Sequence, residues 1–266
     1  MWSCSLLIIG LALGSSCTSQ EAPSDRADGR KPALEAHEDW FRRADGLLKV
    51  VVRDQGLVDY RLAARLRAAV DALVREAGPK QQFENRAAKL AWHINAYNLV
   101  VIQQVLEHLP LKSVRDVTGF FDERRHRVNG LSVTLNEFEG KHIRTLNDPR
   151  CHAALVCGAV SCPPLRRGAF VPDRLEKQLE TITRRWINDP QKNRAENGVL
   201  KVSAIFKWYA DDFQPPPYKG VAGFLRRHAT ADSSMGRLLG ESADPPTAQL
   251  PYDWALNKVE RKDDDD

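Results

Sequence analysis

The sequence predicts an α+β fold in a single compact domain, and three observations lead there. Apolar residues at helical spacing dominate the first half of the chain. Short apolar runs bounded by Gly, Asn and Pro are scattered through the second half. The two kinds of segment mix without a regular strand–helix–strand rhythm. A helical N-terminal part with a short mixed or antiparallel sheet is therefore expected.

The elements follow in order. Phe41, Leu48 and Val52 mark a helix over His37 to Arg53, with Gly56 placed to stop it. Leu57 to Tyr60 reads as an extended link. Leu62, Leu66, Val70, Leu73 and Val74 mark a second helix ending at Gly78-Pro79. Phe83 to Leu109 is a third, broken by Pro110. His126 to Val133 reads as a hairpin around Asn129-Gly130, which supply the positive φ angles of a type I′ turn. Thr134 to Glu137 has the pattern of a capping box and starts a fourth helix, to about Leu146, which Asp148-Pro149 ends. Ala153 to Val156 is expected as a buried strand. Asp173 to Asn188 is an amphipathic helix with Leu175, Leu179, Ile182 and Trp186 on one face. Val199 to Val202 is a strand, and another element begins at Ile205. Val221 to His228 and Met235 to Leu239 read as helices, and Tyr252 to Leu256 as a final strand.

The front of the chain reads as a targeting segment. Ser5 to Leu13 is apolar but too short to span a bilayer, which fits a signal-peptide core. Gly14-Ser15-Ser16-Cys17 resembles a bacterial lipoprotein processing site, with Cys17 the lipidated residue; plain cleavage near Ser16 is the alternative. The expected organisation is a leader over 1–17, a flexible tether over 18–35, a globular domain over 36–257 and an acidic tail over 258–266. An exported, periplasmic or outer-membrane lipoprotein of a bacterium is the expected setting, meeting membrane through the lipid anchor alone. The net charge of the 266-residue chain is +4 and its Arg pairs are short and not interleaved with stacking aromatics, so no nucleic-acid role is expected.

Two features carry candidate chemistry. On the third helix Asn95 and Asn98 fall on one stripe with Ala91 and Ile102. Buried asparagines there either tie a neighbouring loop to the helix or orient a catalytic or ligand group. The second feature is Cys151-His152-Ala153-Ala154-Leu155-Val156-Cys157-Gly158-Ala159-Val160-Ser161-Cys162-Pro163-Pro164. If Cys4 is lost with the leader and Cys17 is lipidated, the folded part keeps three cysteines, enough for at most one internal disulfide.

This run supports two main readings. In one, Cys157 and Cys162 close a short loop, the backbone amides of Gly158 and Ser161 bind a carboxylate or other anion with help from Arg166, and Trp208 and Tyr209 wall a groove for a small molecule or an envelope protein. In the other, Cys162 or Cys157 is a nucleophile with His152 as base, oriented by Asn95 or Glu139, giving a thiol-dependent hydrolase or acyl transferase. On a regular strand His152 and Cys157 would face opposite sides, so Cys162 is the better placed partner. The spacing of Cys157, Cys162 and His152 matches no usual zinc pattern, and no cofactor is expected. Asp211-Asp212 reads as a cap or as the partner of a core-facing Lys207.

Four separated motifs carry a family likeness: Trp92-His93-Ile94-Asn95-Ala96-Tyr97-Asn98; the run from Cys157 to Pro164; Phe206-Lys207-Trp208-Tyr209 with Asp212-Phe213; and Tyr252-Asp253-Trp254-Ala255-Leu256-Asn257. Together they resemble the domain-of-unknown-function 547 family, over about Trp40 to Asn257. The family often shows Glu-His in the helix before the cysteine run; here Glu139 is followed by Gly140, with His142 two positions on. The resemblance implies an exported or membrane-associated bacterial protein and hands over no reaction. The layout is more weakly similar to papain- and transglutaminase-type enzymes, although the central helix carries Asn95 and Asn98 where those would place a cysteine.

Overall fold

The computed structural model describes residues 30–260. The apolar leader, Cys4, Cys17, the head of the expected tether and the final aspartates lie outside the described residues. The remainder is one mostly helical α+β domain with a two-stranded and a three-stranded sheet.

At its centre is α4 (Arg86–His108), capped by Asn85, whose side chain accepts from the Ala88 amide at 2.8 Å. Every residue from Leu90 to Ile102 is buried, so this helix has no solvent face over its middle. Around it lie α1 (Arg30–Val51), α2 (Tyr60–Arg65) and α3 (Arg67–Ala77). The expected second helix is thus two: Leu66, at φ −100° and ψ 16°, leaves helical geometry between them. Nothing in the residue types at that point forbids a helix, so periodicity alone runs through the break.

The hairpin pairs β1 (His126–Val128) with β2 (Leu131–Val133), with φ of 53° at Asn129 and 76° at Gly130. The capping box is present in both directions, Thr134 and Glu137 each accepting the other's amide at 3.1 Å. It opens α5 (Leu135–Phe138), which widens into a π-helical turn over Glu139–Ile143 and tightens into a 3₁₀ turn over Arg144–Leu146.

The segment after Asp148-Pro149 corrects the sequence reading. It is a helical turn, α6 (Cys151–Ala154), not a strand. Asp148 accepts from the Arg150 amide at 3.1 Å, and Cys151, His152 and Ala153 bond back to Asp148, Pro149 and Arg150. Asp-Pro is here a helix start, an acidic acceptor followed by a residue whose φ is already helical. The chain then extends at Leu155 and turns at Gly158, where φ is 86° and an added Cβ would lie 3.0 Å from Val114 Cγ1.

Beyond this, α7 (Leu175–Ile187) packs against α6, with Leu175, Leu179, Ile182 and Trp186 buried as its amphipathic pattern requires. The three-stranded sheet has the order β3 (Arg194–Glu196), β4 (Val199–Val202), β5 (Thr247–Gln249), antiparallel then parallel. A single turn, α8 (Ile205–Trp208), leads to a 3₁₀ turn over Ala210–Phe213, then α9 (Val221–His228) and α10 (Ser234–Glu241). Tyr252 to Leu256 forms no strand. It makes single bridges to two loops, Ala255 to Ser113 and Leu256 to Ala159, because neither loop offers an extended partner of equal length.

Candidate active site

The two asparagines of α4 explain how the site is built. Asn98 donates to the Ala154 carbonyl and accepts from the Val156 amide, both at 2.9 Å. Asn95 does the same for Phe170, at 2.7 and 2.9 Å. Each amide satisfies one backbone carbonyl and one backbone amide of a buried segment outside the two sheets. Asn95 is therefore not the group that orients His152; both asparagines hold loops.

The Asn98 clamp fixes the path from His152 to Cys157. On that path a cavity of about 230 Å³ opens, lined among others by Glu139, His152, Leu155, Cys157 and Cys162. Trp208 and Tyr209 from α8 close one side, and Tyr252 and Trp254 another. Six of the expected site residues thus meet: Cys157, Cys162, His152, Glu139, Trp208 and Tyr209. The strand argument separating His152 from Cys157 fails with the strand itself.

Cys157 and Cys162 form a disulfide. The Tyr252 hydroxyl lies 3.3 Å from both sulfurs. Among the described residues the remaining thiol, Cys151, is buried, and burial pushes it well above its ordinary value, aided by Glu139, Asp148 and Asp212. It has the environment of an inert core cysteine.

His152 is buried, stacked on Tyr209 at 4.4 Å, with Nε2 2.7 Å from Asp212 Oδ2. Asp212 also accepts from Arg144 Nε at 2.6 Å and Nη2 at 2.8 Å. Burial works to raise the Asp212 carboxyl, but bonds from His152 and Arg144 outweigh it and hold the group well below the carboxylate range. An ionised Asp212 can only accept, so Nε2 of His152 carries the proton in that contact. Nδ1 is then the ring nitrogen left to take or give one. Asp212 is neither a simple cap nor a partner of Lys207, whose side chain is exposed.

Glu139 sits in the π turn, 9% exposed, with Oε2 3.5 Å from the Tyr97 hydroxyl. Tyr97, Tyr209 and Tyr252 are all pushed up, first by burial and then by the charge of Glu139.

Two of the donors expected to cradle an anion, the Ser161 amide and Arg166, are engaged elsewhere. The Ser161 amide donates to the Asp253 carbonyl at 3.1 Å, and its hydroxyl accepts from the Asp253 amide at 2.8 Å. The Gly158 carbonyl accepts from Asn257, and Arg166 turns away to donate to the Ala169 carbonyl at 2.8 Å. The turn that was to hold an anion is instead stitched to the C-terminal segment. Among the described residues no group of three or more His, Cys, Asp or Glu side chains is placed to hold a metal ion.

Asp212, Arg144, Tyr97 and Tyr252 are the participants that sequence reasoning missed. The one signal for Asp212 and Tyr252 was their place in two of the four family motifs.

In comparisons with known proteins, residues 81–187 match the model of a family described as a protein of unknown function, DUF547. No curated protein and no solved structure matches the chain. The match takes in both asparagine clamps, Glu139, His152 and the cysteine turn, while four of the aromatic lining residues, Trp208, Tyr209, Tyr252 and Trp254, lie beyond it. The chain thus carries a DUF547 domain over residues 81–187, and that domain supplies the polar half of the cavity.

Proposed function

We propose that this cavity binds a small molecule and does acid–base chemistry on it, with His152 as the proton-transferring group and Asp212 as its positioning partner. The observation that carries this reading is the 2.7 Å contact between His152 Nε2 and Asp212 Oδ2 on a ring that also lines the cavity. A carboxylate on one nitrogen fixes the tautomer and leaves the other to accept a proton from water or a substrate hydroxyl. Arg144 keeps Asp212 in place through two bonds, and aromatic rings wall the cavity. The disulfide stiffens the adjoining wall. A disulfide endures in oxidising compartments, which supports including export, and an envelope location, in the proposal.

A second reading has a specific support: Cys157 and Cys162 line the same cavity as His152. If an external dithiol opens the disulfide, the dithiol is oxidised and two thiols form. One thiolate could then attack an acyl carbon, while His152 takes the thiol proton and returns it to the leaving group.

A panel of small chromogenic esters, thioesters and amides, assayed with and without dithiothreitol, separates the two. The first reading expects turnover without reductant, lowered roughly 10²- to 10⁴-fold by His152→Ala. Turnover that appears only with reductant and vanishes in Cys162→Ser supports the second. Turnover indifferent to His152→Ala overturns both.

A further inference from the structure

The charge balance of the cavity points to the chemistry of its ligand. Two carboxylates stand close to it, Glu139 and Asp212. Asp212 is neutralised by the paired bonds of Arg144. Glu139 has no such paired contact: among the described residues no Lys or Arg forms an ion pair with it, Arg144 acts on it only at longer range, and the groups beside it are the Tyr97 and Tyr209 hydroxyls. It is nonetheless 9% exposed and lines the cavity. A buried carboxylate with no cation in contact is costly unless something that enters the site supplies one.

The rest of the lining suits a cation. Tyr97, Phe121, Trp208, Tyr209, Tyr252 and Trp254 contribute six aromatic rings, and none of the lining side chains among the described residues is Lys or Arg. Ring faces attract ammonium groups, most strongly where water is excluded. Two of these rings already receive guanidinium groups, Arg144 at 4.7 Å from the Tyr209 centroid and Arg115 at 5.3 Å from that of Trp254. Among the described residues no cation sits over Trp208 or Tyr252, their centroids are 4.8 Å apart, and Trp208 is 47% exposed. They form an open aromatic entrance with a carboxylate beyond it. Burial first, and then the charge of Glu139, pushes three of the tyrosine hydroxyls up.

We propose that the cavity recognises a small organic cation, an ammonium or alkylated ammonium group seated among the aromatic rings against Glu139. This rests on the reading of the cavity as a small-molecule site and names the class of molecule. It reassigns recognition from an anion at the cysteine turn to a cation at the π turn.

The test uses choline and its neutral isostere 3,3-dimethylbutan-1-ol, titrated into the disulfide-intact protein and followed by tryptophan fluorescence and by indole resonances. The expected result is choline binding at least about tenfold tighter than the isostere, with the preference lost in Glu139→Gln and both affinities weakened in Trp208→Ala. Trp208 is exposed, so its variant folds even if Glu139→Gln does not. Equal or tighter binding of the neutral isostere overturns the cation assignment and leaves the cavity reading standing. A flat response to both compounds also overturns it, while the acid–base reading is still judged by the His152→Ala assay.

Discussion

His152 and Asp212 are separated by 60 residues in the chain and by 2.7 Å between Nε2 and Oδ2. One belongs to the single turn α6, the other to the 3₁₀ turn after α8, and Arg144 from the end of the π-containing helix bonds to the same carboxylate. Three short, irregular elements thus converge on one ion-pair network at the edge of one cavity.

That network has an acid signature. A carboxyl held below its unfolded value contributes stability that is present above the unfolded pKa, about 3.9 for Asp, and lost as pH falls through the lower folded value. Asp212→Asn should therefore be less stable than the wild type at pH 6, and the gap should narrow steadily below about pH 4. Urea unfolding across that range measures it. A gap independent of pH contradicts the assignment.

His93 makes the opposite kind of test, because it has no role in the cavity. It is 1% exposed, neither ring nitrogen has a hydrogen-bond partner among the described residues, and its ring centroid is 5.2 Å from that of Phe138. Burial, then Lys89 and His142, lowers it to about 3. The unfolded chain takes up this proton near pH 6.5 and the folded one does not, so stability falls as pH drops between those values. His93→Phe should remove that part of the pH dependence and stabilise the protein by about 1–3 kcal/mol near pH 5, by eliminating a buried unsatisfied polar group. Thermal unfolding at pH 5 and pH 8 compares the two.

The asparagine clamps should be costly to remove. Asn98→Ala leaves the Ala154 carbonyl and the Val156 amide without partners, at about 1–3 kcal/mol for each buried group. The same change frees the path between His152 and Cys157. Both denaturant stability and ligand affinity should fall, whereas Asn95→Ala, which clamps Phe170, should reduce stability with a smaller effect on binding.

Thiol mapping should find the Cys157–Cys162 bond closed and Cys151 unreactive until the protein unfolds. Replacing both bridged residues by Ser should cost about 2 kcal/mol, the low end expected for so short a loop. Rapid alkylation of Cys151 in the folded protein would contradict its burial.

Local signals in the sequence were readable and distant ones were not. Asn129-Gly130 and Thr134 to Glu137 specify their turn and cap through residues only a few positions apart, and both appear as expected. The equivalent Asn197-Gly198 turn, at φ 51° and 75°, joins β3 to β4, and β3 escaped notice because its residues are polar. Ala153 to Val156 illustrates a physical ambiguity, since four apolar residues fit a strand or a helical turn equally well and the Asp148 turn before them decides. The cavity was half legible: Glu139, His152, Cys157, Cys162, Trp208 and Tyr209 stood out as chemistry-bearing types. Asp212 did not, because a carboxylate beside another in a short turn reads as a cap or as the partner of nearby Lys207 until the fold brings Arg144 and His152 to it.

The central claim is that the cavity takes a small molecule at His152. The most direct measurement is a fragment titration of protein labelled at the histidine rings and tryptophan indoles, followed by NMR. The account predicts binders that shift the His152 and Trp208 resonances together, and that lose this effect in Trp208→Ala. Binders that shift neither resonance, or that shift surface histidines alone, would contradict it.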